Sequence, residues 1–147
     1  MVVLVHHGDA LPPLVDAMRP LSAPGRAAAD RLAREAAGRG VHPDVIWHSG
    51  KLRARQTAEL FRRHGNPMAA CVAVRGLQPG DPPEWIRDQL SGDERRIMVV
   101  GHMPHLPRLL QLLLVRTDDR SQEFPLHGVV VLERSRGGWR ELWRLAS

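Results

Sequence analysis

Two adjacent histidines, His6 and His7, close the apolar run Val2–Val5 and are followed at once by Gly8. A neutral imidazole is a good nucleophile near neutral pH, because its ordinary pKa is about 6.5. A glycine beside it lets the backbone turn and lets a ligand approach closely. Two other apolar runs end the same way. Val45–Trp47 leads into His48-Ser49-Gly50, and Ile97–Val100 leads into Gly101-His102. If these runs are parallel strands of one sheet, their carboxyl ends share an edge, where α/β proteins build their sites. Three strand ends would then deliver polar groups to one place.

Other chemistries fit less well. His6-His7 and His102-x-x-His105 offer imidazoles for zinc. Strand geometry would send His6 and His7 to opposite faces, and no neighbouring cysteine or carboxylate pair completes a usual site. No metal is expected. Cys71 is the only cysteine. A cysteine phosphatase loop needs five residues between Cys and Arg, whereas Arg75 follows Cys71 after three. A buried, inert thiol is expected.

The elements that must position these groups follow from periodicity. Val2–His6 reads as a strand buried on both faces. Ser22 caps a helix with Pro24 in its first turn, and Ala28, Leu32 and Ala36 recur at helical spacing until Gly38 and Gly40. Strands are expected over Asp44–His48, Ala69–Val74 and Arg96–Gly101, with helices over Lys51–Arg63, Pro82–Leu90 and Leu106–Val115. Gly128–Glu133 and Trp139–Leu145 read as a terminal hairpin across Gly137-Gly138. Strands alternating with helices predict a three-layer α/β/α sandwich around a mostly parallel sheet. The 147 residues suit a single domain, 1–147.

The net charge is +5, and all but one of the 21 basic residues are arginine. They are scattered among acids, with only Arg62-Arg63 and Arg95-Arg96 adjacent, and no aromatic RNA-binding signature accompanies them. A nucleic-acid partner is not expected. The charge would attract anionic phosphates instead. No segment approaches the length of a bilayer span, and no targeting segment is visible. No membrane partner is expected, and the location is expected to be cytoplasmic.

Four segments resemble one family. VHHGDA is similar to the Arg-His-Gly signature of the histidine phosphatase superfamily. RPLSAPGRAAADRLA, SGKLRARQTAE and VVGHMPHL resemble its first-helix, Ser-Pro-x-x-Arg-Ala-x-Gln-Thr and Val-Gly-His-x-Pro segments, in the same order. The short length, Asp9-Ala10 and the RPLS stretch are most similar to the SixA-type phosphohistidine phosphatases. The resemblance implies a phosphoglycerate mutase-like fold and a cofactor-independent phosphatase. His7 would be the nucleophile and His102 a second catalytic histidine. Arg53, His6 and Gly8 would bind phosphate. Gln56 and Thr57 match the motif but suit packing equally well. The substrate would be a phosphorylated molecule, with a histidine-phosphorylated protein as the leading form.

Two departures stand out. His6 replaces the signature arginine, and Gly50 replaces a proline. The second should loosen the loop carrying Lys51. The first should make phosphate affinity weaken as pH rises through neutrality, since a histidine is charged only below its pKa. It also motivates an alternative, a catalytically weak phosphate- or phosphoprotein-binding module. Asp81, with Glu84 second, is the candidate general acid. An imidazole leaves more easily than an alcohol, so a phosphohistidine substrate needs such an acid less.

Overall fold

The computed structural model describes residues 1–114 and 123–147. Six strands, β1 (Val2–His6), β2 (Val45–His48), β3 (Ala70–Ala73), β4 (Ile97–Gly101), β5 (Val129–Ser135) and β6 (Gly138–Leu145), form one sheet in the order β3-β2-β4-β1-β5-β6. The first four in that order run parallel, and the terminal hairpin adds β5 antiparallel to β1 and β6 antiparallel to β5. Four helices, α1 (Ala23–Gly38), α2 (Leu52–Gly65), α3 (Pro83–Ser91) and α4 (His105–Leu113), cover the two faces. The expected α4 extended to Val115, which lies outside the described residues.

Alternation along the central strands explains the three layers. Val2 and Leu4 of β1, Val45 and Trp47 of β2, and Ile97 and Val99 of β4 pack in one core with Leu90 of α3 and Leu106 and Leu110 of α4. Val3, Val5, Ile46, Met98 and Val100 pack in the other with Leu32 and Ala36 of α1 and Ala58 and Phe61 of α2. A wholly apolar strand is needed because both of its faces are covered. β3 departs from this pattern. It is an edge strand, largely exposed, and Cys71 is only half-buried. Partial burial still pushes its thiol up to about 11, which keeps it protonated.

Local signals set the helix that flanks the first strand end. Ser22 is the N-cap of α1, and its hydroxyl accepts from Gly25 N–H at 3.0 Å. A Cβ on Gly25 would stand 2.2 Å from the Asp9 carbonyl oxygen, so only glycine lets the loop after β1 press on the start of α1.

Candidate active site

The parallel register aligns the strand ends. His6 pairs with Gly101, and His48 pairs with Val100, so His7, Ser49 and His102 all emerge on one edge. His7 N–H donates to the Gly101 carbonyl at 3.2 Å, which ties the first and fourth strand ends together. Past the last ladder pair the backbone no longer alternates as a strand. The expectation that His6 and His7 point apart therefore fails: their ring centroids are 4.5 Å apart, and His7 lies 5.0 Å from the His102 ring.

Hydrogen bonds assign the His7 tautomer. Its Nδ1 lies 2.7 Å from the Gly8 carbonyl oxygen, which can only accept, so Nδ1 carries the proton and Nε2 is left with a lone pair. Burial, with Arg53, His127 and Arg19 nearby, outweighs the Gly8 carbonyl and lowers the His7 pKa to about 4. The ring is neutral at pH 7, with a free nitrogen that can attack an electrophile.

His102 is 2% exposed, and its pKa is pushed down to about 3 by burial, by His7 and by Arg53. Its Nε2 is 2.6 Å from Ser49 Oγ, while its Nδ1 is buried with no partner among the described residues. Arg53 projects from the first turn of α2, and its Nε is also buried and unpartnered. A buried donor without an acceptor costs about 1–3 kcal/mol. Arg53 Nε is such a donor, and His102 Nδ1 is another when the Ser49 hydroxyl, which accepts from Lys51 N–H, donates to His102 Nε2. Together they suit an anion that brings oxygen acceptors.

The residues around them act as struts. Thr57 Oγ1 accepts from Gly8 N–H at 3.0 Å and donates to the Arg53 carbonyl, which links the histidine loop to the helix of Arg53. Gly8 thus gives its N–H to Thr57, and its own part is close approach: a Cβ there would meet Gly25 O and Leu21 at 3.2 Å. Gln56 Oε1 accepts from Leu21 N–H. Arg55 is exposed. Gly50 has a conformation and a hydrogen bond of its own. It sits at φ +89° and donates its N–H to His48 Nδ1 at 3.0 Å, neither of which a proline could do.

Asp81 is held in a turn, where its Oδ2 accepts from Gln78 N–H, and Gln78 in turn donates to the Ser49 carbonyl. These two links connect it to the Ser49 carbonyl. Glu84 is exposed at the start of α3. The strongest influences on His6, His7 and His102 are burial, other histidines and the cations Arg53, Arg19 and Lys51, with no carboxylate among them.

Position 6 differs most from expectation. His6 is buried, and its Nδ1 accepts the backbone N–H of His127 at 2.8 Å. A nitrogen that accepts carries no proton, so the ring is the Nε2–H tautomer. Burial, then His7, His127, His102 and Arg53, lower its pKa to about 3. It is neutral throughout the physiological range, and the expected weakening of phosphate affinity through neutrality loses its cause. His6, His7 and His127 do place one ring nitrogen each within 4.8 Å of one another. Yet His6 Nδ1 is occupied and Nε2 is protonated, so His6 has no lone pair to give a metal.

His127, Ser49 and Arg19 are the groups that sequence reasoning underrated. His127, just before the terminal hairpin, is a histidine whose position could line the pocket but whose sequence surroundings carry no further signal. The clue to Arg19 was its place in the RPLS stretch, four residues before the α1 start.

A histidine-lined strand edge with an arginine from the following helix is thus joined by four ordered motif matches. The sequence profile of the Histidine phosphatase superfamily (branch 1) matches residues 2–81, more than half of the chain. The chain belongs to the histidine phosphatase superfamily. A solved structure assigned as the phosphohistidine phosphatase SixA from Agrobacterium tumefaciens is 28% identical, with a TM-score of 0.84, covering 99% of this chain and 97% of that one. The protein histidine phosphatase SixA complexed with tungstate is 22% identical, with a TM-score of 0.85, covering 99% and 96%. Phosphoserine phosphatase from Entamoeba histolytica, in complex with 3-phosphoglyceric acid, is 14% identical, with a TM-score of 0.73, covering 99% and 96%. The last two establish shared fold alone. No curated protein sequence matches the chain. The superfamily membership and the SixA likeness make the chain a phosphatase with a phosphoglycerate mutase-like fold.

Proposed function

We propose that the chain is a metal-independent phosphohistidine phosphatase whose nucleophile is His7. The observation that carries this reading is the His7 ring, neutral, with its proton held by Gly8 and its Nε2 lone pair free beside Arg53. His7 Nε2 attacks phosphorus, and the bond from phosphorus to the substrate nitrogen breaks. The substrate imidazole, protonated on its other ring nitrogen, departs neutral. Water then attacks phospho-His7, releases inorganic phosphate and returns the ring to its starting state. Arg53 spans two phosphoryl oxygens with its planar fork. In this reading His102 Nδ1 and His6 Nε2 donate to the remaining phosphoryl oxygen.

Two features favour a phosphorylated histidine on a protein over an alcohol phosphate. First, an alcohol needs a proton as it leaves, and no carboxylate figures among the strong influences on His7. Asp81, committed to its turn, is left as an indirect support. Second, the catalytic edge carries exposed apolar side chains. Leu14 is fully exposed, with Val15 and Met18, in the loop after β1, and Leu126 is 65% exposed beside His127. An apolar rim of this kind suits a protein surface better than a small sugar phosphate.

The test is turnover on a panel of a histidine-phosphorylated protein, an aryl phosphate, a sugar phosphate and a nucleotide. The phosphohistidine protein should be hydrolysed with the highest kcat/KM, leaving an acid-labile, alkali-stable phosphoenzyme. Preference for the sugar phosphate would overturn the substrate, and phosphate binding without turnover on any of the four would favour a binding module.

A further inference from the structure

The segment before β5 is built around His6 in three ways. His127 gives its backbone N–H to His6 Nδ1 at 2.8 Å. Its ring lies flat on the His6 ring, with centroids 4.8 Å apart and planes 6° from parallel. Its own Nδ1 lies 2.7 Å from the His7 carbonyl oxygen, so it donates there. To do all three, His127 adopts φ +52°, the left-handed region that residues other than glycine rarely enter. Strain of this kind persists only where the surroundings enforce it. The surroundings do so here: the next residue, Gly128, accepts His6 N–H at 3.0 Å and donates to the Pro125 carbonyl at 2.9 Å.

We propose that His127 is a positioning residue, which locks His6 as the Nε2–H tautomer so that His6 offers the phosphoryl group a neutral donor in place of a charge. The proposal rests on the reading of the His7 pocket as a phosphoryl site. The groups that act most strongly on His6 are His7 on its own strand end, His127 before β5, His102 after β4 and Arg53 on α2, while Asp9 and the C-terminal Ser147 line the same cavity as His6 and His127. Burial and the neighbouring histidines and arginine together disfavour a further cation there. The backbone N–H of His127 opposes protonation directly, because a proton on His6 Nδ1 would confront the N–H that now donates to it. His6 therefore keeps one orientation and one proton across about pH 6 to 8. Arginine at this position would keep its charge, but it has no acceptor for the His127 N–H.

The experiment has two parts. In the intact protein labelled with 15N histidine, the His6 ring should show unprotonated Nδ1 and protonated Nε2, unchanged from about pH 6 to 8. A protonated Nδ1, or titration near 6.5, would overturn the proposal without any variant. Vanadate binding is then compared for wild type, His127→Gly, His127→Asn and Arg53→Ala. His127→Gly tolerates the left-handed backbone but removes the stacked ring and the bond to the His7 carbonyl, which hold the residue 127 N–H against His6 Nδ1. With that N–H no longer held, vanadate should weaken about tenfold, the scale of one hydrogen bond to a charged group, and the His6 tautomers should mix. His127→Asn tolerates the same backbone, and its amide can still donate to the His7 carbonyl, so it should recover part of the loss. Wild-type affinity and tautomer in His127→Gly, with Arg53→Ala impaired, would overturn this proposal alone. Unchanged affinity in Arg53→Ala would overturn the phosphoryl site and the proposal with it.

Discussion

The histidines at the strand ends fall into two groups, three around β1 and two after β4, and they are built on different terms. Around β1, His6, His7 and His127 each have one ring nitrogen in a defined hydrogen bond, so every tautomer is fixed. After β4, His102 keeps an unpartnered Nδ1, and His105 is fully buried with neither nitrogen partnered. The first group has its tautomers set without a ligand, and His7 Nε2 and His6 Nε2 stay free for one. The second holds buried, unpartnered nitrogens, and His102 can turn its own to an incoming anion. Preorganised donors on one side and unsatisfied ones on the other are what a site needs if its binding energy is to appear with the phosphoryl group.

The comparison is broken most severely by removing the nucleophile. His7→Ala should abolish turnover and the covalent phosphoenzyme. Retention of label in that variant, measured after acid-free quenching, would move the nucleophile elsewhere. Next in size are the anion-facing groups. Arg53→Ala should lower kcat/KM by about 10²–10³, the loss of one preorganised donor, and Arg53→Lys should not restore it because a point charge lacks the fork. His102→Ala should be comparable, and the double variant less than additive because both serve one phosphoryl group. Wild-type kinetics in either single variant would remove that residue from the site.

Much of this arrangement was legible in the sequence, for a physical reason. Strand ends announce themselves where an apolar run stops, as at His7 and His102, and helix starts where a cap such as Ser22 precedes Pro24. Long-range pairings left no such mark. His127 meets His6 across 121 residues, and nothing local shows that its backbone is left-handed. Gly50 looked like a lost proline, whereas it is a glycine required by a turn. The opposite-faces argument for His6 and His7 applied strand geometry one residue beyond the strand.

Acid sharpens the comparison on its fixed side. His7 has a pKa of about 4, and His6 and His102 of about 3, all below the ordinary 6.5. Catalysis should therefore be flat in kcat/KM from neutrality down, after correction for substrate ionisation, and fall only as pH approaches about 4. Stability has the opposite sign to a salt-bridged histidine. Below 6.5 the unfolded chain takes up protons that the folded rings refuse, so stability is full above that pH and declines below it. Each histidine contributes a slope of at most about 1.4 kcal/mol per pH unit. Denaturant midpoints at pH 7 and 5 check this, and a midpoint unchanged or raised at pH 5 would show that these rings are not buried neutral.

The smallest effect probes the unfinished side. Asp81 and the Gly76 backbone both favour a charged His105, but burial prevails and its pKa is lowered. Neither ring nitrogen makes a hydrogen bond of good geometry. The ring thus forfeits hydration and gains little in return. Replacing a buried, unpaired polar group by an apolar one of similar size is nearly neutral or stabilising. His105 packs on α4 among Leu106, Leu109 and Leu110, which are themselves buried. His105→Leu should therefore leave the denaturant midpoint unchanged or raise it, by no more than about 1–3 kcal/mol, with activity kept. His102→Leu should instead destroy activity at similar stability, since the capacity of His102 has a use. If His105→Leu unfolds the protein or lowers its stability by a comparable amount, the Gly76 contact is a true hydrogen bond. The two histidines after β4 would then differ from those of β1 only in their partners, not in whether they have any.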